Sequence, residues 1–511
     1  MKALRLSAFA AALFMGTAPV YAADSVELRL LGTYKTGIFD EGAAEIVTYE
    51  PQTKRLYVVN ADAKAVDVLD LSDPAKPSKV GELDAKAYGK QGSSVTVHDG
   101  LIAVSIIADP AQAPGKVIFF TKEGEEVAAV EVGANPDMVT FTPDGKYVLV
   151  ANEGEPNDDY KNDPEGTISI ITVADKSVRT ADFRAFSRDA LPEGVRMGHP
   201  TASFAQDAEP EYIAVSADSK KAYVTLQENN AIAEVDIEAA KVTRLFGLGL
   251  QDHSKIALDP SNKDGGYRPA TWPVWGMYMP DTVASFSAGG KDYLVTANEG
   301  DSREYETFVD EERIKELELD PAVFPNADEL QAKENLGRLK ISPYSSDTNG
   351  DGKIDKLMAF GSRSFSIWDT DGNQVYDSKA EFEKITAQRL GPNYNSNNDE
   401  NGSGDDRSDD KGPEPEGAAV GEIDGRIYAF IGLERVGGIM VYDVTTPASA
   451  RFAGYANNRD FEGDPKADTA GDLAPEGFAF IAADVSPNGK PLLAVGNEVS
   501  GSTSIYEVVV K

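Results

Sequence analysis

The chain has 511 residues, no cysteine, and 85 acidic against 49 basic side chains, a formal net charge of −36. The absence of thiols excludes disulfides and thiol chemistry. The acidic excess argues against nucleic acid and anionic membranes as partners, since both require Lys/Arg patches; it serves solubility alone, or some of the carboxylates are neutralised by bound cations such as Ca²⁺.

Lys2 and Arg5 precede an apolar run from Leu6, and Val20-Tyr21-Ala22 offers a small-x-small cleavage signal. Residues 1–22 therefore read as a secretory signal peptide, the run being too short for a membrane span. A periplasmic or extracellular protein without a membrane anchor is expected. The rest alternates short β-branched and aromatic runs with turn signals such as TPDGK, SADSKK and SPNGK. A repeated unit emerges, made of a strand, a tight polar turn, a second strand and a third. Its copies begin near Glu45, Ser94, Asp137, Glu211, Asp281, Glu416 and Glu476.

Radially repeated four-stranded sheets make an all-β fold, the β-propeller. Seven blades are the simplest count, with six or eight left open. Residues 23–511 are expected to form one such domain, closed by a strand over 26–35. The stretch 357–378 has strands but no matching hairpin, and would fit a further, degenerate blade. Repeats of about 40–45 residues use only part of the chain, so long insertions must leave one face. One is 301–337, charged and helical in part of its pattern. Another is 378–415, whose "NYNSNNDENGSGDDRSDD" composition predicts disorder unless metal or substrate orders it.

In a propeller the innermost strand of each blade starts, and the second ends, at one channel mouth. Six of the seven unit starts are carboxylates. Glu153, Glu228, Glu299, Glu434 and Glu498 stand at second-strand ends, three of them in a repeated Asn-Glu. Carboxylates this crowded require protons or cations. The expected metal ligands are Glu45, Asp137, Glu153, Glu211, Asp281, Glu299 and Glu498, with Glu416 and Glu476 as catalytic carboxylates. The alternative is that these acids cap strand turns. Arg303, Arg363, Arg407 and Arg435 lie in or beside the same loops; arginines bind phosphate bidentately, or pair with the acidic surface.

A separate cation loop is expected at "DTNGDGKID", where Asp347, Asn349, Asp351 and Asp355 take positions 1, 3, 5 and 9 around Gly352. Met358 replaces the closing Glu, so the loop is incomplete, and an Asx-rich turn without calcium is the alternative. The three histidines are too scattered for a zinc site, and GxSxG, P-loop and HExxH motifs are absent.

The segments "GSRSFSIWDTDGNQVYDS", "RSDDKGPEPEG", "AFIGLERVGGIMVYDV", "DLAPEGFAFI" and "LLAVGNEVSGSTSIYEV" resemble the choice-of-anchor I family, secreted bacterial β-propellers related to the mesenchyme-specific cell surface glycoprotein group. Because that domain also occurs in atypical alkaline phosphatases, the resemblance implies phosphoester hydrolysis. Propeller alkaline phosphatases with calcium and iron at the mouth are a looser analogy, and their iron does not carry over to a chain without cysteine. The resulting expectation is a metal-dependent alkaline phosphomonoesterase. Its substrate would be a small phosphorylated anion, and its cofactors Ca²⁺ and a second divalent or transition metal. The alternatives are a non-catalytic, calcium-stabilised binding or adhesion propeller, and a calcium-dependent phytase or lactonase.

Overall fold

Strand-forming runs joined by tight polar turns pair with their immediate neighbours, because such a turn brings no other partner within reach. In the computed structural model, which describes residues 25–511, they build seven four-stranded antiparallel sheets. The signal-peptide reading of 1–22 lies outside the described residues. The innermost strands are Val47–Glu50, Gln91–His98, Pro136–Phe141, Pro210–Val215, Val283–Ala288, Pro415–Ile423 and Pro475–Ile481. Each touches the next and the last touches the first. The sheets therefore stand in a closed ring, an all-β propeller.

Val26–Lys35 pairs antiparallel with Ser502–Val510, so the last sheet draws strands from both ends of the chain. Second strands such as Tyr147–Asn152 and Leu492–Asn497 are buried almost throughout. Their continuous apolar runs fit strands covered on both faces, since each sheet packs between two others.

Residues 357–378 are not an additional blade. Phe365–Asp369 and Gln374–Asp377 complete the fifth sheet, beside Val283–Ala288 and Lys291–Ala297. Leu357–Ala359 instead pairs parallel with Val274–Met277 in a small separate sheet. The insertion 298–364 parts the second strand from the third, and Trp368 seals the joint, its Nε1 donating to Thr296 Oγ1 at 3.0 Å.

The insertions also differ from expectation. The helical part of the 301–337 segment is limited to the short helix Ala327–Leu330 and the turn Ile314–Glu316, and the two-residue strands Glu304–Tyr305, Phe308–Val309 and Glu312–Arg313 precede them. Pro321 and Pro325 interrupt its helical pattern, and its Ile314, Leu319, Phe324 and Leu336 bury in a core of their own with Leu258 and Ile341. The 378–415 segment is ordered by its own polar atoms. It opens with the helix Glu381–Leu390, and Asn395, Ser396 and Ser408 beyond it are buried and hydrogen-bonded. Side-chain hydrogen bonds take the place of the apolar contacts that composition looks for. No helix among the described residues is long and apolar enough to cross a membrane.

Candidate functional site

Four innermost strands open on a proline followed by an acid: Pro136-Asp137, Pro210-Glu211, Pro415-Glu416 and Pro475-Glu476. Pro280-Asp281 precedes a fifth. In the first case Pro136 faces Asn152 but Val139 faces Val150, three steps on one strand against two on the other. The same slip occurs in the other three. An extra residue on one strand is a β-bulge, which bends the strand and re-aims a side chain. Proline has no N–H to lose from the ladder, and the bulge turns the acid after it toward the channel mouth.

The second-strand ends work in pairs. Asn152, Asn298 and Asn497 are buried, and their Nδ2 atoms donate to the third strand: to Ser169 Oγ at 3.0 Å, Ser366 Oγ at 3.0 Å and Ser502 O at 3.2 Å. Asparagine thus ties down the strand end, and the following Glu leaves it.

These positions converge on a cavity of about 280 Å³ in which eleven of the eighteen lining residues are carboxylates and none is Lys or Arg. Of the expected ligands and catalytic acids it collects Asp137, Glu153, Glu211, Asp281, Glu299, Glu416 and Glu476. Glu498 is not among them; it lines a neighbouring recess with Glu434 and Arg435. Glu45 does not line the cavity either, and burial and then Glu498 and Asp137 raise it well above the usual carboxylate range. Glu155, Glu209 and Asp301 also line the cavity, though the unit starts and strand ends do not point to them. Their signal is the repeated Glu-Gly-acid of Glu153-Gly154-Glu155 and Glu299-Gly300-Asp301, and Glu209 beside Pro210.

The cavity does not compensate its own charge. Asn135 Nδ2 reaches Glu153 and Glu155 at 2.5 and 2.8 Å, and Gln227 Nε2 reaches Glu299 at 2.9 Å. Buried oxygens of Glu209, Glu211, Glu228, Glu416 and Glu476 have no hydrogen-bond partner. Burial and then repulsion from Glu155 push Asp137 up to about 7. Burial also pushes Glu228 up to about 7, in spite of nearby Arg303. Glu211 and Glu476 rise further, through burial and then Glu228 and Glu498 respectively. Orphaned oxygens of this kind fit hard divalent cations. Among the described residues, the trio with ligand atoms all within 4.8 Å of one another is Glu299, Glu414 and Glu434, of which only Glu299 lines this cavity.

A second recess of about 420 Å³ shares Glu155, Glu228 and Asp301 with the first and adds Arg303, Lys340, Arg407, Lys411 and Arg435. Here the charges are matched. Arg303 meets Asp207 and Glu209, both at 2.9 Å. Glu414 receives Arg407 at 2.5 Å, Arg435 at 2.9 Å and Lys411 at 3.5 Å. Burial alone would raise Glu414, but Lys411, Arg407 and Arg435 hold it well below the usual range.

Arg363 is the exception among the four expected phosphate ligands, because it lines neither recess. Its guanidinium is spent on Glu383 Oε1 at 2.6 Å and on the carbonyls of Asp259, Ser408 and Asp410 at 2.8, 2.8 and 2.6 Å.

The model of the choice-of-anchor I domain matches residues 45–447. The chain belongs to that family. Gigasin-3a of Magallana gigas is 29% identical over 194 residues, covering 35% of this chain and 66% of that protein. The mesenchyme-specific cell surface glycoprotein of Strongylocentrotus purpuratus is 27% identical over 289 residues, 47% of this chain and 35% of that one. The chain thus spans between about a third and two thirds of the length of these relatives. Similar solved structures include the hydrazine synthase of Kuenenia stuttgartiensis, with TM-score 0.49 and 13% identity over 94% of this chain and 100% of that one. The WD40 domain of Toxoplasma gondii coronin aligns with TM-score 0.48 and 10% identity over 96% and 88%.

In this choice-of-anchor I propeller the 347–355 loop is exposed and lines neither recess. Its oxygens are held by the loop's own amides. Asp347 accepts from Gly350 N and Gly352 N, both at 2.8 Å, and Asp355 from the Thr348 hydroxyl at 2.8 Å. No histidine lines either recess. Trp272 packs on the insertion core, and Trp275 lies under Lys356.

Proposed function

We propose that this choice-of-anchor I protein is a secreted, metal-dependent phosphoric ester hydrolase, most simply an alkaline phosphomonoesterase. One observation carries the proposal: a cavity of orphaned carboxylates adjoins a recess with five cationic side chains, and Glu155, Glu228 and Asp301 belong to both. Bound among the mouth carboxylates, divalent cations supply Lewis acidity and a water of lowered pKa. Glu211, Asp281, Glu416 and Glu476 would hold them, and the recess arginines and lysines would orient the phosphate dianion. A mouth carboxylate raised toward neutrality, such as Glu228, accepts the proton of the attacking water. Water adds to phosphorus, the ester P–O bond breaks, and the departing oxygen takes the proton that Glu228 had accepted. Since Asp137 and Glu228 ionise only near pH 7, cation binding and activity rise above neutrality. A structural Ca²⁺ at Asp347, Asn349, Asp351 and Asp355 is proposed alongside. An extracytoplasmic location accords with the leader-like N-terminus and with a relative named as a cell surface glycoprotein.

A calcium-stabilised adhesion propeller without catalysis is the second proposal. It is favoured by that relative's name and by the recess, where Arg303, Arg407, Lys411 and Arg435 each already have an internal acid. Turnover of p-nitrophenyl phosphate, its bis ester, phytate and a lactone, with EDTA and after return of Ca²⁺, Mn²⁺ or Zn²⁺, separates the two. Chelator-sensitive hydrolysis of the monoester is expected. No turnover with any added metal sinks the hydrolase and leaves adhesion.

A further inference from the structure

A third recess, of about 490 Å³, adjoins the second and has Arg407 and Arg435 in common with it. Small-molecule sites usually enclose about 300–1,000 Å³. Its wall gathers distant parts of the chain. Asp40 follows the strand Val26–Lys35, Asn397, Asn398 and Asp399 belong to the 378–415 insertion, and Glu434 and Glu498 follow second strands. The Asp40 N–H donates to Val499 O at 2.8 Å. Arg459 fixes the insertion's part of the wall, donating to the carbonyls of Asn397 and Glu400 at 2.7 Å and of Arg435 at 3.0 Å.

The lining groups keep unused hydrogen-bonding atoms of both kinds. Glu414 takes Arg407 through Nε and Nη2, and Arg435 through Nε. Arg407 Nη2 also meets Asp410, and Arg435 Nη1 donates to Asn398 Oδ1 at 3.2 Å. Among the described residues, Arg407 Nη1 and Arg435 Nη2 are left without a partner. On the acceptor side, the carboxylates of Asp40 and Glu498 meet no donor among the described residues, and Asp399 meets only Asn397 Nδ2, at 2.7 Å. Glu434 is 6% exposed, and Asn398 Nδ2 donates to its Oε1 at 2.7 Å. Its Oε2 receives no hydrogen bond, because the single N–H of Arg435 Nε, 3.1 Å away, is given to Glu414.

This mixture limits what fits. A second anion meets four carboxylates, a bare cation meets two guanidiniums, and an alkyl or aryl group finds only Val499 as an apolar wall. A hydroxyl group both donates and accepts, so a polyhydroxylated molecule satisfies free carboxylate oxygens and free guanidinium N–H groups together. We propose that the third recess is the subsite for a polyhydroxylated leaving group, and that the substrate is the monophosphate ester of a sugar or polyol. This rests on the hydrolase reading: Arg407 and Arg435 line both recesses, so an ester whose phosphate lies in the second extends past them into the third. Asp40, Asp399 and Glu498 accept from its hydroxyls, and Arg407 Nη1 and Arg435 Nη2 donate to them. The same carboxylates repel further phosphates, which sets this class apart from polyphosphorylated esters such as phytate.

The test compares two esters with the same phosphate, glucose 6-phosphate and ethyl phosphate, by calorimetric titration. The full-length protein is stripped with EDTA, so that metal-dependent turnover does not intervene. Hydroxyls bonded to carboxylates make charge-assisted hydrogen bonds, and glucose 6-phosphate is expected to bind about 10–100-fold more tightly than ethyl phosphate. Asp40→Ala and Asp399→Ala should each reduce that advantage by about tenfold and leave ethyl phosphate unaffected. Two variants are used so that misfolding of one leaves the other to decide. Equal affinity for the two esters, no binding of either, or an advantage that survives both substitutions overturns the proposal. Turnover with metal returned is read separately. Hydrolysis of both esters with equal kcat/KM removes the subsite and keeps the hydrolase. A binding preference for glucose 6-phosphate without turnover by any metal form removes the hydrolase and keeps the recess as a polyol phosphate site.

Discussion

The mouth cavity and the second recess share three acids, yet they treat buried charge in opposite ways. The recess cations Arg407, Arg435 and Lys411 all meet Glu414, which is fully buried. In the mouth, Glu211, Glu416 and Glu476 have oxygens that meet no donor at all. A buried acid with its counter-charge supplied by the chain is scaffold. One without it calls for something from outside. The number of charged residues is similar in the two places, and it is their pairing that separates a mouth short of cations from a recess whose cations are held in place by acids.

The largest effect should come from breaking the paired side. Glu414→Gln removes the acid that Arg407, Arg435 and Lys411 share, leaving them Asp410, Glu434 and Asp301, and is expected to cost about 3–5 kcal/mol of stability, measured by urea unfolding. A loss under about 1 kcal/mol would mean that the recess holds without this hub. The same change at the mouth should have the opposite sign. In the chelated protein, at a pH high enough to ionise Glu211, Glu211→Gln removes an orphaned charge and should stabilise by roughly 1–3 kcal/mol. With metal present it should lower affinity and turnover at least as much as losing an outer-shell partner, about 10–100-fold. Destabilisation of the chelated form would show that Glu211 has an internal partner.

The pH dependence sharpens the contrast further. Asp137 and Glu228 are raised to about 7 in the folded chain, above their unfolded values of roughly 4. The folded state therefore holds more protons between pH 4 and 7, and stability of the chelated protein should fall as pH rises through that window. The slope approaches about 1.4 kcal/mol per pH unit for each group. Saturating Ca²⁺ should abolish the fall, and a slope unaffected by Ca²⁺ would place these acids outside any cation site. The smallest effect is expected at Arg363→Lys. A lysine cannot satisfy three carbonyls and Glu383 together, so proteolytic cleavage of 378–415 should speed up while turnover changes less than about tenfold. Loss of turnover beyond that would return Arg363 to the site.

Much of the mouth was legible because repetition aims equivalent residues at one axis. Once the units are in phase, the acids at 137, 211, 281, 416 and 476 must meet, and so must those at 153 and 299. The Pro-acid pairs and the Glu-Gly-acid repeats carried the same message more strongly and extended it to Glu155, Glu209 and Asp301. Long-range pairing was not legible. The third strand of the fifth sheet lies beyond the insertion 298–364, so no local hairpin announced it. Arg363 and Lys411 sit in non-repeated loops, where nothing in the spacing tells a ligand-facing cation from one spent on carbonyls. Glu498 shares the Asn-Glu of its counterparts but lines a different recess, with Glu434 and Arg435.

The central claim is that the mouth cavity holds divalent cations, and anomalous diffraction from crystals of the full chain grown with CaCl₂ or MnCl₂ tests it most directly. The account predicts anomalous peaks among Glu211, Asp281, Glu416 and Glu476, at about 2.3–2.6 Å from their oxygens for Ca²⁺. A cavity holding only water at neutral pH, in crystals whose 347–355 loop is filled by the same ion, would contradict it.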